Sequence, residues 1–126
     1  MAIQDDVRRI ASRLPGAFEG TGSRFAMCVK VKGKERGFVW SWAERVHPKK
    51  PKVINDGVLA VLVPNLTAKD LFVEADPEKF FTEPHYNGFP AILVRLEAIE
   101  PVELESLIVE AWKCRAPKEA LSQLER

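Results

Sequence analysis

Apolar residues recur along this chain in two rhythms. Between Ile3 and Leu14, residues Val7, Ile10, Ala11 and Leu14 fall at i, i+3, i+4 and i+7, the stripe of one helix. Asp5 and Asp6 suit its first turn and Arg13 its last. Pro15-Gly16 stops it, and Glu19 to Ser23 reads as loop. From Arg24 to Val31 the period changes to two. Phe25, Met27, Val29 and Val31 share one face, and Ala26, Cys28 and Lys30 the other. Gly33 marks a short polar turn, Gly37 to Ala43 follows as a second strand, and the pair predicts a hairpin. Strict alternation on that second strand puts Phe38, Trp40 and Trp42 on one face.

The remaining elements follow from the same patterns. Arg45 to Lys52, "RVHPKKPK", holds two prolines and predicts an extended basic loop rather than a central strand or helix interior. Val58 to Val63 is an apolar run of strand length. Thr67 to Asp70 predicts a capping box opening a short helix with Leu71, Phe72 and Ala75. Phe80-Phe81 and Ala91 to Leu96 are strand candidates. Pro101 opens the strongest helix, with Leu104, Leu107, Ile108, Ala111 and Trp112 as its apolar stripe. Lys118 to Glu125 predicts a short terminal helix. The order α-β-β-β-α-β-β-α, on short connections, predicts one two-layer α+β domain over residues 1–126. Its sheet is antiparallel and its helices cover one face.

Composition adds limits. A 46% apolar and 29% charged chain of 126 residues can bury a core without staples. No apolar run approaches the roughly 18 residues of a membrane span, and the opening MAIQDDVRRI carries acids where a leader would be basic and apolar. A cytoplasmic protein without membrane partners is expected, with Cys28 and Cys114 as buried thiols. The net charge of +1 hides an uneven layout. Arg24 to Lys52 holds nine basic residues and two acids, while Val53 to Glu110 holds three and eleven. A basic stretch suits a polyanion; the plainer reading is solvated charge that mixes in space.

Candidate chemistry is sparse. His47, His85, Cys28 and Cys114 lack the paired spacing of metal ligands. There is no phosphate-binding glycine loop and no nucleophile elbow, so no cofactor and no enzymatic activity are expected. "PHYNG", Pro84 to Gly88, reads first as a turn, since Asn-Gly favours positive φ. Its functional version is a binding loop of His85, Tyr86 and Asn87. The aromatic face reads first as core beneath the helices. Left open, Trp40 and Trp42 would form a stacking platform for bases or a ligand groove.

Three segments carry a resemblance: "DVRRIASRLPG", "DPEKFFTEPHYNGFPAILVRL" and "ELESLIVEAWKCRAPK". Together they resemble the MmcQ/YjbR family over most of the chain, and the central block is its specific part. Many members carry Trp after the second proline of that block; here the residue is Ala91. The resemblance implies an α-β(3)-α-β(2)-α fold in two layers and a DNA-binding role with a wing-like arrangement. It supplies no catalytic residues. The expected function is therefore DNA binding through phosphates. Lys30, Lys32, Lys34 and Arg36 of the hairpin, and Arg45, Lys49, Lys50 and Lys52 of the basic loop, are the expected contacts. The alternative is a small-molecule or protein-binding module that uses the sheet face and the His85–Asn87 loop.

Overall fold

The computed structural model describes residues 1–45 and 47–124. Six strands form one antiparallel sheet in the order β1-β2-β3-β4-β6-β5. They are β1 Phe18–Glu19, β2 Ala26–Val31, β3 Lys34–Glu44, β4 Val53–Leu62, β5 Phe80–Phe81 and β6 Ala91–Arg95. The described α-helices are α1 Gln4–Ala11, α2 Leu66–Ala75, α3 Pro101–Lys113 and α4 Lys118–Leu124. This is the two-layer α+β architecture that the periodicities predict. The sequence reading lacked β1, a two-residue edge strand too short to show alternation. Val46 of the basic loop and Glu125 at the expected end of α4 lie outside the described residues.

The core follows the helical stripes. Val7, Ile10, Ala11 and Leu14 of the first segment are buried, as are Leu104, Leu107, Ile108, Ala111 and Trp112 of α3. They close over a sheet face built of paired aliphatic rows. Met27 pairs with Val39, Val39 with Val61, and Val61 with Ile92. Leu59, Val94 and Phe80 make the next row. Trp112 is wholly buried, yet its indole N–H reaches the Pro15 carbonyl at 3.1 Å. The largest side chain of the core thus carries no unmet donor. No helix among the described residues is long and apolar enough to cross a membrane.

Three local details differ from the expectations, each for a physical reason. In β3, Met27 opposes Val39 while Cys28 opposes Gly37, so Phe38 is an extra residue in the strand. Such a bulge turns the following residues over. Phe38 and Val39 therefore both enter the helix-side core, and Trp40 and Trp42 go to the opposite face. The expectation that Phe38, Trp40 and Trp42 share a face under the helices is overturned. In α2 the cap is Asn65, whose side-chain oxygen accepts from the Ala68 N–H at 2.8 Å. The Thr67 box is already helical. Last, Cys28 is buried as expected but Cys114, past the end of α3, is exposed.

The hairpin turn is also specific. Val31 pairs with Lys34 across a two-residue loop, with φ 53° at Lys32 and 79° at Gly33. Positive φ at both positions is the type I′ turn that matches strand twist. A lysine there costs about 1–2 kcal/mol that glycine would not.

Candidate functional site

The sheet face turned away from the core is built from alternate residues of the same strands. Trp40 pairs with Ala60, Ala60 with Leu93, and Leu93 with Phe81, a row that crosses four strands. Val58, Ala60 and Leu93 are buried at its floor, and Trp40, Trp42, Phe81 and Tyr86 stand half-buried around them. Trp42 meets Phe81 edge-on at 5.5 Å between ring centres. The Arg95 guanidinium lies 4.1 Å above the Phe81 ring, and its Nη1 donates to the Pro77 and Glu78 carbonyls.

The Pro84–Gly88 segment reaches this face as a short 3-10 turn, Pro84–Tyr86, followed by a tight turn at Asn87-Gly88. Asn87 has φ −64° and ψ 130°, Gly88 has φ 80°, and the Phe89 N–H donates to the Tyr86 carbonyl at 3.0 Å. That is a type II turn, so only Gly88 needs the left-handed region. The loop is fastened at two points. The Trp40 indole N–H donates to the Tyr86 hydroxyl at 3.0 Å. From beneath, the Lys69 ammonium of α2 donates to the carbonyls of Tyr86 and Phe89, the latter at 2.9 Å. Lys69 is only 4% exposed. Burial pushes its pKa down, and Asp70 and Glu83 pull it partly back. Sequence reasoning placed no role on Lys69. Its sole signal was its place three and four residues before Phe72 and Val73, the apolar residues that α2 packs on the core.

Two recesses result. Trp40, His85, Tyr86 and Phe89 line a small cleft of about 220 Å³, with Phe89 39% exposed at its lip. A wider trough of about 360 Å³ runs past Trp42, Phe81 and Val58, with Glu44, Asn55, Arg95 and Glu97 at its margins. Aromatic faces with amide, carboxylate and guanidinium groups at their edges suit a planar heterocycle. It can stack while its rim hydrogen-bonds. Asn87 is exposed and its Oδ1 lies 3.3 Å from the Thr82 hydroxyl, outside the cleft lining.

The expected cations divide into two groups. Lys32, Lys34 and Arg36 stand at the hairpin end of β3, and Lys30 pairs with Glu35 on the open face. Arg45, Lys49, Lys50 and Lys52 stand beyond the other end. From Arg36 to Arg45 is nine residues along β3, about 30 Å at about 3.3 Å per residue. The cations form two separate groups rather than one patch: Arg36 and Lys34 lie opposite Val29 and Val31 on the helix side, so Lys30 is the hairpin cation of the open face. Arg45 turns inward, its Nη1 donating to the Pro48 and Lys50 carbonyls at 3.4 and 3.0 Å. Lys49, Lys50 and Lys52 are exposed and form no ion pair among the described residues. Near Trp40, Arg24, Arg36 and Arg115 border a further shallow groove.

No family model matches the chain. A crystal structure of Deinococcus radiodurans protein DR2400, with a DUF419 domain, superposes with a TM-score of 0.67 at 18% identity. The match spans 99% of this chain and 89% of that one, and shows a shared fold. Over 119 residues the chain is 35% identical to the uncharacterized proteins Rv2570 of Mycobacterium tuberculosis and Mb2600 of Mycobacterium bovis, covering 94% of this chain and 92% of each relative. This chain belongs to the family of those mycobacterial proteins.

Proposed function

We propose that this domain binds DNA as a single strand laid along the open sheet face. The observation that carries the reading is the half-buried aromatic row, Trp40, Trp42, Phe81 and Tyr86, with Lys30 toward the hairpin end and the basic loop beyond the other end of β3. Bases stack on aromatic rings whatever their sequence, and flanking cations take the phosphates. The likeness to the MmcQ/YjbR family, whose members are labelled DNA-binding, supports the same reading. The wing-like part would be the basic loop, with Lys49, Lys50 and Lys52 as its phosphate contacts.

A second reading, a small planar ligand, is favoured by the shallow aromatic cleft at Trp40, His85, Tyr86 and Phe89. One experiment separates the two. Labelled single-stranded and duplex oligonucleotides, and mononucleotides, are titrated at two salt concentrations. Replacing Trp40 and Trp42 by Leu should weaken single-strand binding by roughly tenfold or more. Reversing Lys49, Lys50 and Lys52 to Glu should flatten the salt slope by about 0.7 per lost contact. Mononucleotides bound as tightly as oligomers would favour the ligand. Salt-insensitive binding, or tryptophan variants that bind as wild type, would sink the stacking reading.

A further inference from the structure

We propose that the groove between the β2–β3 hairpin and the end of α3 is a binding site for a phosphate monoester. The groove, of about 480 Å³, is lined by Val31, Lys32, Lys34, Arg36, Cys114 and Arg115. Four of these six side chains are cationic. None of the four forms an ion pair among the described residues. The nearby acids are engaged elsewhere. Both Glu35 carboxylate oxygens accept from Thr21, through its N–H at 3.1 Å and its hydroxyl at 3.4 Å. Glu110 pairs with Lys113 at 3.6 Å.

Like charges do not gather for stability; they repel unless an anion joins them. The geometry holds them together all the same. Arg115 Nε donates to the Gly37 carbonyl, which fixes the guanidinium beside the strand and leaves its remaining donors available. Lys32 is kept at φ 53° in a turn where glycine fits better, and it stands at the groove's rim. A non-glycine in that region is a reason to look for function. The carbonyl end of α3 lies beside the groove and disfavours an anion, so the four cations have to outweigh it. Cys114 N–H closes on Glu110 and Ala111, while Arg115 and Ala116 N–H close on Trp112. A phosphate monoester carries about two negative charges near neutral pH, and arginine forks match its oxygens. A backbone phosphodiester carries one charge and needs fewer partners. The site requires none of the stacking residues, so it stands apart from the open-face reading.

The test is an amide NMR titration of the full chain with inorganic phosphate, against sodium chloride at matched ionic strength. Saturable shifts at residues 32–36 and 115–116, absent with chloride, are expected. Arg115→Gln should weaken phosphate binding about tenfold. Lys32→Gly should also weaken it, while leaving the fold at least as stable, since glycine takes positive φ freely. Shifts that chloride reproduces, or variants that bind phosphate like wild type, would overturn the site. A 5′-phosphorylated oligonucleotide binding more tightly than its 5′-hydroxyl twin identifies the ligand as a strand end. Equal binding by the two, with phosphate still bound, identifies a phosphorylated small molecule. Phosphate binding in a protein that takes no oligonucleotide would remove the DNA reading and keep this one.

Discussion

The two faces of this sheet share the same strands and the same alternation, yet they are built for different ends. The helix face is aliphatic and closed: Leu59, Val61, Ile92 and Val94 are almost fully buried, with α3 over β4 and α2 against β6. The open face carries tryptophan and tyrosine, rings with a polar handle that sit half in water. A fold alone needs only the first face. Antiparallel sheets tolerate one solvated side, but that side is ordinarily polar. Here it carries a row of aromatic rings over buried Val58, Ala60 and Leu93, with Tyr86 brought in by a separate loop, and that row is what the proposed binding would use.

The comparison can be broken by substitution. Trp112→Ala should be the most damaging change. It removes a fully buried ring and the bond to Pro15, and should cost about 3–5 kcal/mol. Trp42→Ala, on the open face, should cost well under half of that. Urea denaturation of both proteins checks this. Equal losses would mean that the open face is as much a core as the other.

Lys69→Met comes next. It leaves the Tyr86 and Phe89 carbonyls without their donor, a penalty of about 1–3 kcal/mol. The change should loosen the loop locally. Faster amide exchange at residues 84–90 and a shifted Trp40 indole N–H signal are expected, with α3 protection unchanged. Loss of protection everywhere would show that Lys69 serves the whole core rather than the open face.

Gly88→Ala should cost about 1 kcal/mol, from strain at φ 80°, because the added Cβ meets nothing within 4 Å. A thermal midpoint equal to wild type would contradict the type II turn that sets Tyr86 in place.

A further effect concerns pH. Burial, then Glu35, pushes the Cys28 thiol up to about 11 from 9.0. The thiol is 3% exposed on the open-face side of β2. Between those values the unfolded chain releases a proton that the folded chain keeps. Stability therefore falls as pH rises through that window. Cys28→Ala should flatten the fall, as read from midpoints at pH 9 and pH 11. An unchanged slope would show that this end of the open face admits water freely.

Much of this protein was legible in its sequence. The stripes of α1 and α3, the β2–β3 hairpin and the apolar runs of β4 and β6 were read correctly because periodicity reports burial directly. The positive φ of Gly88 followed from the turn chemistry of Asn-Gly. The tryptophan face was misread by one residue, since a single bulge at Phe38 reverses every side chain beyond it. A signal was present. Gly37 stands beside that bulge, and Asn55-Asp56-Gly57 marks the second irregularity, where Trp42 pairs with Asn55 just after Ser41 pairs with Leu59. Glycine inside a strand pattern deserved more weight than the alternation around it.

What the sequence determined by itself is what depends on neighbours along the chain: which segments are helix or strand, which face of each is apolar, where turns fall, and that the stretch from Arg24 to Lys52 is basic. Only the tertiary structure decided what depends on distant partners. It carried Lys69 beneath a loop about twenty residues away, set Tyr86 against Trp40, and brought Arg115 to the Gly37 carbonyl. These are contacts between side chains and backbone groups whose meeting is set by strand register and helix docking. No local pattern encodes them, because the free energy that selects them belongs to the packed core rather than to any one segment.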